Sequence, residues 1–223
     1  MNGLVLALDA GNTKSYPGSG TTWTDLSGRG NTGTLTGAGY NSANGGSLTF
    51  DGTDDIVNTT LNQTTTFGSS GFTFNLALNV TDDGATDVRR ALLGNTNFGV
   101  DGFGFGFNHD ASNTNKWNIT FYPSYNILNF DSYTPNFGNN EFITLWYNGT
   151  DTIRLYRNGE LLSSLSVPNT KTYRNANVLI GTFNQGGWSP FLGKIYLVQA
   201  YNRALTAAEI QQNFNALRGR FGI

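Results

Sequence analysis

Two Asn-Gly dipeptides, set between short alternating runs, constrain the fold of this chain more than any other feature. Asn148-Gly149 lies between Leu145-Trp146-Tyr147 and Ile153-Arg154-Leu155-Tyr156, and Asn158-Gly159 lies between that second run and residues 161–165. Asn-Gly is typical of the type I′ turn, because both central residues of that turn need positive φ. The sequence therefore predicts two successive β-hairpins, the first with a longer loop and the second with a two-residue loop.

The rest of the chain continues the strand pattern. Residues 72–80 alternate apolar with small or polar side chains, which directs the even-numbered side chains toward a core. Further strands are predicted at residues 48–50, 56–57, 91–93, 98–107, 117–121, 142–147, 178–180 and 195–201. About a dozen strands with short connections predict an all-β, two-sheet antiparallel sandwich, and a closed barrel is the less favoured alternative.

One long segment departs from this pattern. Residues 10–47 are rich in Gly, Ser, Thr and Asn, with isolated apolar residues such as Trp23 and Leu26. We expect a long irregular surface excursion with short strands, which these apolar residues pin to the core, since each gains by burial. A chain of 223 residues suits a single domain over 1–223.

A short C-terminal helix is predicted over residues 206–218. Thr206-Ala207-Ala208-Glu209 has the form of a capping box, in which the Thr caps the helix and the Glu reaches back. One apolar face follows at a spacing of i, i+4 and i+7: Ile210, Phe214 and Leu217. Gly219 stands where a C′ glycine is expected. This helix needs a surface to dock on, and the sheet provides it.

Composition excludes several classes of protein. The net charge is −2 and no basic run occurs, so nucleic acid is a poor partner. No apolar stretch approaches the roughly 20 residues that a membrane span requires. The apolar run at residues 3–8 is short and is followed by Asp9, which predicts a buried strand, not a signal peptide. Cysteine is absent, so disulfides and thiolate metal sites are excluded.

Four segments together have the form of a known fold. They are residues 50–57 (Phe-Asp-Gly-Thr-Asp-Asp-Ile-Val), the double hairpin at 142–159, Val178-Leu179-Ile180-Gly181, and residues 193–210. This combination resembles the concanavalin A-like, laminin-G-like jelly-roll family. The resemblance implies a two-sheet jelly-roll sandwich whose first strand pairs beside the last, near residues 195–201. It is specific for the fold and not for one activity.

The two ends resemble a narrower group. Residues 3–28 and 211–223 are similar to jelly-roll proteins of tailed bacteriophages. This resemblance implies a virion structural protein, made in the host bacterial cytoplasm, that serves as a head decoration, fibre or tail-associated component. It would act through contacts with capsid, tail or fibre proteins and with copies of itself as a homo-oligomer. Weak adhesion to a cell-surface glycan is compatible with that role.

The alternative function is a lectin-like, carbohydrate-binding module. Sugar binding needs an exposed aromatic ring beside polar hydrogen-bonding groups. Trp188, in the loop at 185–190, could present such a ring, as could the aromatic-rich region at 122–133 with Tyr125 and Asp131. The competing interpretation of Trp188 is a loop anchor buried against the closing strand.

Calcium is the cofactor that this family most often holds. Asp51, Asp54 and Asp55 are the best local ligands, because calcium takes carboxylate and carbonyl oxygens. The simpler interpretation is an Asp-Gly turn with a solvated acidic pair. The sequence does not supply the six or more ligands that a complete site requires.

We expect no enzymatic activity, although some proteins of this fold are glycoside hydrolases. Those enzymes need two carboxylates flanking the scissile bond. The sequence has three glutamates, each with a structural explanation. Glu141 precedes a strand, Glu160 follows a hairpin turn and Glu209 closes the capping box. His109, the sole histidine, is predicted to lie in a polar loop and not in a catalytic triad.

The most unusual segment is Gly102-Phe103-Gly104-Phe105-Gly106-Phe107. At a period of two it places three Phe on one face of a strand and three Gly on the other. We expect the Phe row to fill the core. The flat Gly face then admits close packing by a loop or a neighbouring strand, and a ligand that approaches the backbone is the alternative.

Overall fold

A computed structural model shows the fold and describes residues 2–68, 70–85, 88–97, 99–109, 116–122, 126–130, 133–167, 172–183 and 188–223. Within these ranges the chain forms seventeen strands, one 3₁₀ turn and two α-helices. In chain order they are β1 (Leu4–Asp9), β2 (Thr22–Trp23), β3 (Gly33–Thr36), β4 (Gly39–Asn41), η1 (Ala43–Gly45), β5 (Ser47–Asp51), β6 (Ile56–Asn62), α1 (Gln63–Thr66), β7 (Phe72–Val80), β8 (Val88–Gly94), β9 (Phe103–His109), β10 (Lys116–Phe121), β11 (Asn126–Asn129), β12 (Asn140–Tyr147), β13 (Thr152–Arg157), β14 (Glu160–Ser166), β15 (Asn177–Ile180), β16 (Ser189–Pro190), β17 (Leu192–Tyr201) and α2 (Ala207–Phe221).

The strands form two sheets, and the predicted sandwich is confirmed. Among the described residues, the eight-stranded sheet has the order β14-β13-β12-β7-β17-β5-β4, with β1 paired to β17. The nine-stranded sheet has the order β11-β10-β9-β8-β15-β6-β3-β2, with β16 paired to β8. All pairings are antiparallel except that of β16 with β8. The architecture is that of a concanavalin A-like jelly roll.

The hairpin predictions are confirmed with their loop lengths. β12 and β13 are joined by residues 148–151, and β13 and β14 by residues 158–159 alone. Asn158 and Gly159 have φ of 51° and 82°, as a type I′ turn requires. In the longer loop the Asn148 side chain accepts hydrogen bonds from three backbone N–H groups, those of residues 150–152.

The core lies between the two sheets. The even-numbered side chains of β7 all belong to it, as the alternation predicts. Trp23 is fully buried in the same core and pins the segment 10–47, which contains three short strands, as expected. Leu26 is 39 % exposed, so the expectation that it anchors this segment is wrong.

Helix α2 docks on the outer face of the eight-stranded sheet. Its capping box forms as predicted, with the Thr206 side chain accepting from the Glu209 N–H. The helix continues to Phe221, and Gly222, at φ 69°, caps it in place of Gly219. The extension has a packing reason: Phe221 is buried, with its ring centroid 5.4 Å from that of Tyr196. Neither helix of the described residues is long and apolar enough to cross a membrane.

The two ends of the sequence lie together. β1 pairs with β17, so the expectation that the first strand lies beside the last is confirmed. Arg220, in α2, makes two hydrogen bonds of 2.6 Å to the carboxylate of Asp9, the last residue of β1. Residues 3–28 and 211–223 are therefore in direct contact.

Candidate functional site

A row of polar side chains crosses the outer face of the eight-stranded sheet beyond the end of α2. Asn79 of β7 lies opposite Asn140 of β12 on one side and opposite Lys194 of β17 on the other. Residues paired in register point to the same face of a sheet. The next part of this face is apolar and lies under the helix, through contacts of Phe142 with Phe214. The polar row is therefore left uncovered.

This row forms the floor of a cleft of about 550 Å³, which we call the asparagine cleft. One wall is the loop at 136–139, another is η1, and the C-terminal end of α2 closes a third side. Six asparagines, one lysine and one tyrosine supply its polar side chains: Asn44, Asn79, Asn136, Asn139, Asn140, Asn158, Lys194 and Tyr196.

Asn140 holds the floor together. Its Oδ1 accepts hydrogen bonds from Asn79 Nδ2 at 3.1 Å and from the Tyr196 hydroxyl at 2.9 Å. Its Nδ2 donates to the Phe221 carbonyl at 2.9 Å. Burial raises the pKa of Tyr196, although hydrogen bonds to Asn44 and Asn140 oppose the shift. The phenol is therefore neutral at ordinary pH and acts as a donor.

The asparagines of the walls keep hydrogen-bonding capacity for a ligand. Asn139 Nδ2 donates to Asn136 Oδ1 at 3.1 Å, and Asn158 Oδ1 accepts from the Phe142 N–H at 2.9 Å. Within the described part of the chain, the side-chain amide nitrogens of Asn136 and Asn158 have no protein partner. Each offers two N–H donors to whatever enters the cleft.

A buried ion pair supports the loop wall from the core side. Glu141 is 1 % exposed, and its Oε2 lies 2.9 Å from Arg157 Nε. Glu141 Oε1 accepts from the Asn136 N–H, and Arg157 donates to the Thr134 carbonyl. Burial raises the pKa of Glu141 to about 7, while Arg157 lowers it and so offsets part of the effect. Glu141 was expected to precede its strand, but it is the second residue of β12.

The predicted calcium ligands do come together. Asp51, Asp54 and Asp55 each place a carboxylate oxygen within 4.8 Å of the others. Asp55 is 5 % exposed and accepts the Asp51 N–H at 2.8 Å, while Asp51 accepts the Thr53 N–H at 2.8 Å. Burial, together with the charges of Asp51 and Asp54, raises the pKa of Asp55. Three clustered carboxylates fit the oxygen-donor chemistry of calcium.

Trp188 does not present an exposed ring. The prediction of a sugar platform required an exposed indole, but Trp188 is 8 % exposed and packs against Phe183, with 4.8 Å between ring centroids. It lies over Gly106, where a Cβ atom would come within 3.0 Å of the indole. It is a buried anchor, though on the nine-stranded sheet and not on the closing strand. Tyr125 and Asp131 lie outside the described residues.

The Gly-Phe strand explains this burial. The side chains of Phe103, Phe105 and Phe107 fill the core, as predicted. Phe183 covers Gly104 as Trp188 covers Gly106, so the expectation of close packing on the glycine face is confirmed. On the next strand, the buried side-chain oxygens of Asn118 and Thr120 have no hydrogen-bond partner among the described residues.

The remaining candidates for catalysis have structural roles where they are described. Glu209 caps α2 and pairs with Arg203 through two hydrogen bonds of 2.9 and 2.5 Å. Glu160 is exposed at the start of β14. His109 ends β9, and its side chain lies outside the described part of the structure.

Sequence reasoning missed the asparagine cleft. Its members come from positions 44 to 223, and only the order and register of the strands bring them together. The one available signal was the abundance of Asn in the sequence. Asn is also frequent in the turns, so its abundance does not identify a site.

Comparison with known proteins places the fold. The family profile described as the concanavalin A-like lectin/glucanases superfamily matches residues 50–211. No curated protein matches the sequence. Similar solved structures include the binding domain of Paraclostridial Mosquitocidal Protein 1, with 18 % identity and a TM-score of 0.70 over 96 % of this chain and 52 % of that one.

Two sugar-active enzymes contain similar domains. The Trypanosoma rangeli sialidase matches with 16 % identity and a TM-score of 0.70, over 98 % of this chain and 33 % of that one. Domain 4 of AbnA, an extracellular arabinanase from Geobacillus stearothermophilus in complex with arabinotriose, matches with 15 % identity and a TM-score of 0.67, over 94 % and 97 %. The chain thus spans about half of the Mosquitocidal Protein 1 chain and a third of the sialidase chain.

Proposed function

The chain belongs to the concanavalin A-like lectin/glucanases superfamily, and on that basis we propose that it is a non-enzymatic carbohydrate-binding module whose sugar site is the asparagine cleft. The observation that carries the proposal is a cleft of about 550 Å³ whose polar lining is almost entirely amide. An amide side chain combines an acceptor with two donors, which matches the paired donor and acceptor character of sugar hydroxyls.

The cleft favours binding over hydrolysis. Its described lining includes no Asp or Glu side chain, whereas glycoside hydrolysis ordinarily needs two carboxylates across the bond. Glu141 is close in sequence to the loop wall, but it lies on the core side and pairs with Arg157. The bound arabinotriose in the similar arabinanase domain supports a sugar-binding role on this fold.

Calcium is a second part of the proposal. Asp51, Asp54 and Asp55 would hold the ion, which would relieve the mutual repulsion of their carboxylates. Titration of the chelated protein with calcium should then raise its melting temperature. Substitution of Asp54 by Asn should weaken that response, because it removes one carboxylate from the cluster. Asp54 is exposed, so we expect the fold to tolerate the change.

The virion role is also a proposal. It is supported by the resemblance of residues 3–28 and 211–223 to bacteriophage proteins. It is also supported by strand β14, which is an edge strand within the described residues and exposes Leu161 at 51 %. Unpaired edges are readily used for association with another subunit. Immunogold labelling of phage particles would place the chain on the head or the tail, and unlabelled particles would remove this proposal without affecting sugar binding.

A glycan array followed by calorimetry tests the sugar site. Asn136 and Asn139 are exposed in the loop wall, so their joint substitution by Ala should weaken binding at least tenfold without unfolding the protein. Asn215→Ala, on the exposed face of α2, is the matched control and should bind as the parent does. Equal binding by the parent and the double variant would refute the cleft as the site.

A further inference from the structure

Among the described residues, Lys194 is the single basic side chain that lines the asparagine cleft, and its placement is central. It lies in β17 between Asn79 and Thr49, its register partners on the two neighbouring strands. Both of these neighbours are neutral. Among the described residues, no carboxylate oxygen comes within 4.0 Å of the Lys194 ammonium, since no such ion pair occurs.

Some basic residues of this protein are held in ion pairs, whereas Lys194, like the exposed Lys14 and Arg29, has none among the described residues. Five arginines make ion pairs within the described residues: Arg90 with Asp83, Arg157 with Glu141, Arg174 with Asp101, Arg203 with Glu209, and Arg220 with Asp9. Asp51 is on the strand next to Lys194, but it pairs with Leu192 and does not line the cleft. The positive charge of Lys194 is therefore available to a ligand.

The end of helix α2 does not account for Lys194. A cation near a helix C-terminus is stabilised by the last carbonyl groups. Here the Arg218 carbonyl already accepts the N–H groups of Gly222 and Ile223, and the Phe221 carbonyl accepts from Asn140. The ammonium is thus not needed to satisfy these carbonyls.

We infer that the asparagine cleft binds an anionic sugar, one that carries a carboxylate or sulfate group, with Lys194 as the charge that selects it. This inference rests on the proposed function and adds the class of ligand. The free amide groups of Asn136 and Asn158 flank the same cleft and can donate to the same anionic oxygens. Hydrogen bonds to a charged acceptor are about twice as strong as neutral ones, so the acidic group sets the affinity.

The test compares matched neutral and acidic sugars by calorimetry. The pairs are lactose with 3′-sialyllactose or 3′-sulfolactose, and trigalacturonic acid with its methyl ester. At least one acidic member should bind about tenfold or more tightly than its neutral partner, and 0.5 M NaCl should reduce the difference. A preference for a carboxylated sugar and a preference for a sulfated sugar both support the inference, and the comparison of the carboxylated ligands with 3′-sulfolactose shows which acidic group is preferred.

Variants separate this inference from the proposed function. Lys194→Met keeps an unbranched side chain only one atom shorter and removes its charge, so it should abolish the acidic preference. Lys14→Met is the control, because Lys14 is exposed and does not line the cleft. Neutral and acidic sugars that bind equally, and lose binding together in the Asn136/Asn139 double variant, would overturn the inference and keep the proposed function. No binding of any sugar would overturn both.

Discussion

The charge state of Glu141 makes the stability of this protein depend on pH. The pKa of Glu141 is about 7, against an ordinary value of 4.5, because desolvation outweighs the attraction of Arg157. Between pH 4.5 and pH 7 the carboxyl group of Glu141 is protonated in the folded protein and ionised in the unfolded chain. The free energy of unfolding therefore falls as the pH rises from 4.5 to 7. Each unit of pKa difference corresponds to about 1.4 kcal/mol, so the raised pKa of Glu141 lowers the free energy of unfolding by about 3 kcal/mol over this pH range.

Replacement of Glu141 by Gln isolates this effect. The amide resembles the protonated carboxyl and does not ionise, so the variant and the parent should have similar stability near pH 4.5. At pH 8 the variant should be more stable, by about 3 kcal/mol, because the parent then carries a desolvated charge. Urea denaturation across this range measures both proteins, and the difference between them cancels every other titrating group.

One result would refute this reasoning. If the parent is the more stable protein at pH 8, the ion pair with Arg157 outweighs desolvation and the pKa of Glu141 is not raised. Carbon NMR of the side-chain carboxyls gives a direct check, since the sequence has only three glutamates. Glu209 supplies the opposite case: its exposed ion pair and cap lower its pKa to about 2, so its contribution is lost only in acid.

Two pairs of substitutions test the nine-stranded sheet and the helix, all measured by urea denaturation. Thr120→Val should raise the free energy of unfolding by about 1 kcal/mol, because the buried Thr120 hydroxyl has no partner among the described residues. Thr59→Val should lower the free energy of unfolding by about 1 to 2 kcal/mol, because the Thr59 hydroxyl donates to a backbone carbonyl at 2.6 Å. Equal effects would contradict this assignment. Gly106→Ala should cost about 2 to 3 kcal/mol, because its Cβ would come within 2.1 Å of a carbonyl oxygen. Gly219→Ala meets nothing within 4 Å inside α2 and should gain up to about 1 kcal/mol; a loss there would show a contact that the structure lacks.

The parts of the fold that local sequence determines were predictable. The turn at Asn158-Gly159 follows from the two positive φ angles that these residue types tolerate, and the start of α2 follows from the reciprocal bonds of Thr206 and Glu209. The end of α2 was placed too early, because the burial of Phe221 against the sheet, which is a tertiary contact, extends the helix past Gly219.

The candidate site was predictable only in part. Asp51, Asp54 and Asp55 are adjacent in sequence, so their clustering follows from one turn. The asparagine cleft depends on β17 lying next to β7. The alternation of apolar and polar residues along a strand shows which face a residue occupies, but it does not show which strand lies beside it. The sequence left two interpretations of Trp188 open, an exposed ring and a buried anchor. The glycine face that receives Trp188 is about 80 residues away in the sequence, so local sequence could not show where the ring is buried.

The central place of β17 has a consequence for synthesis on the ribosome. This strand lies between β7 on one side and β1 and β5 on the other, yet it is made only after residues 1–191. Until then the apolar strand β1 lacks its partner and β7 has one open edge. The sandwich therefore closes late, by contacts that span nearly the whole sequence, and such closure is slow. A chain interrupted before residue 192 would expose two unpaired strand edges, which promote aggregation. A chaperone that shields the nascent chain would therefore be most useful over this interval.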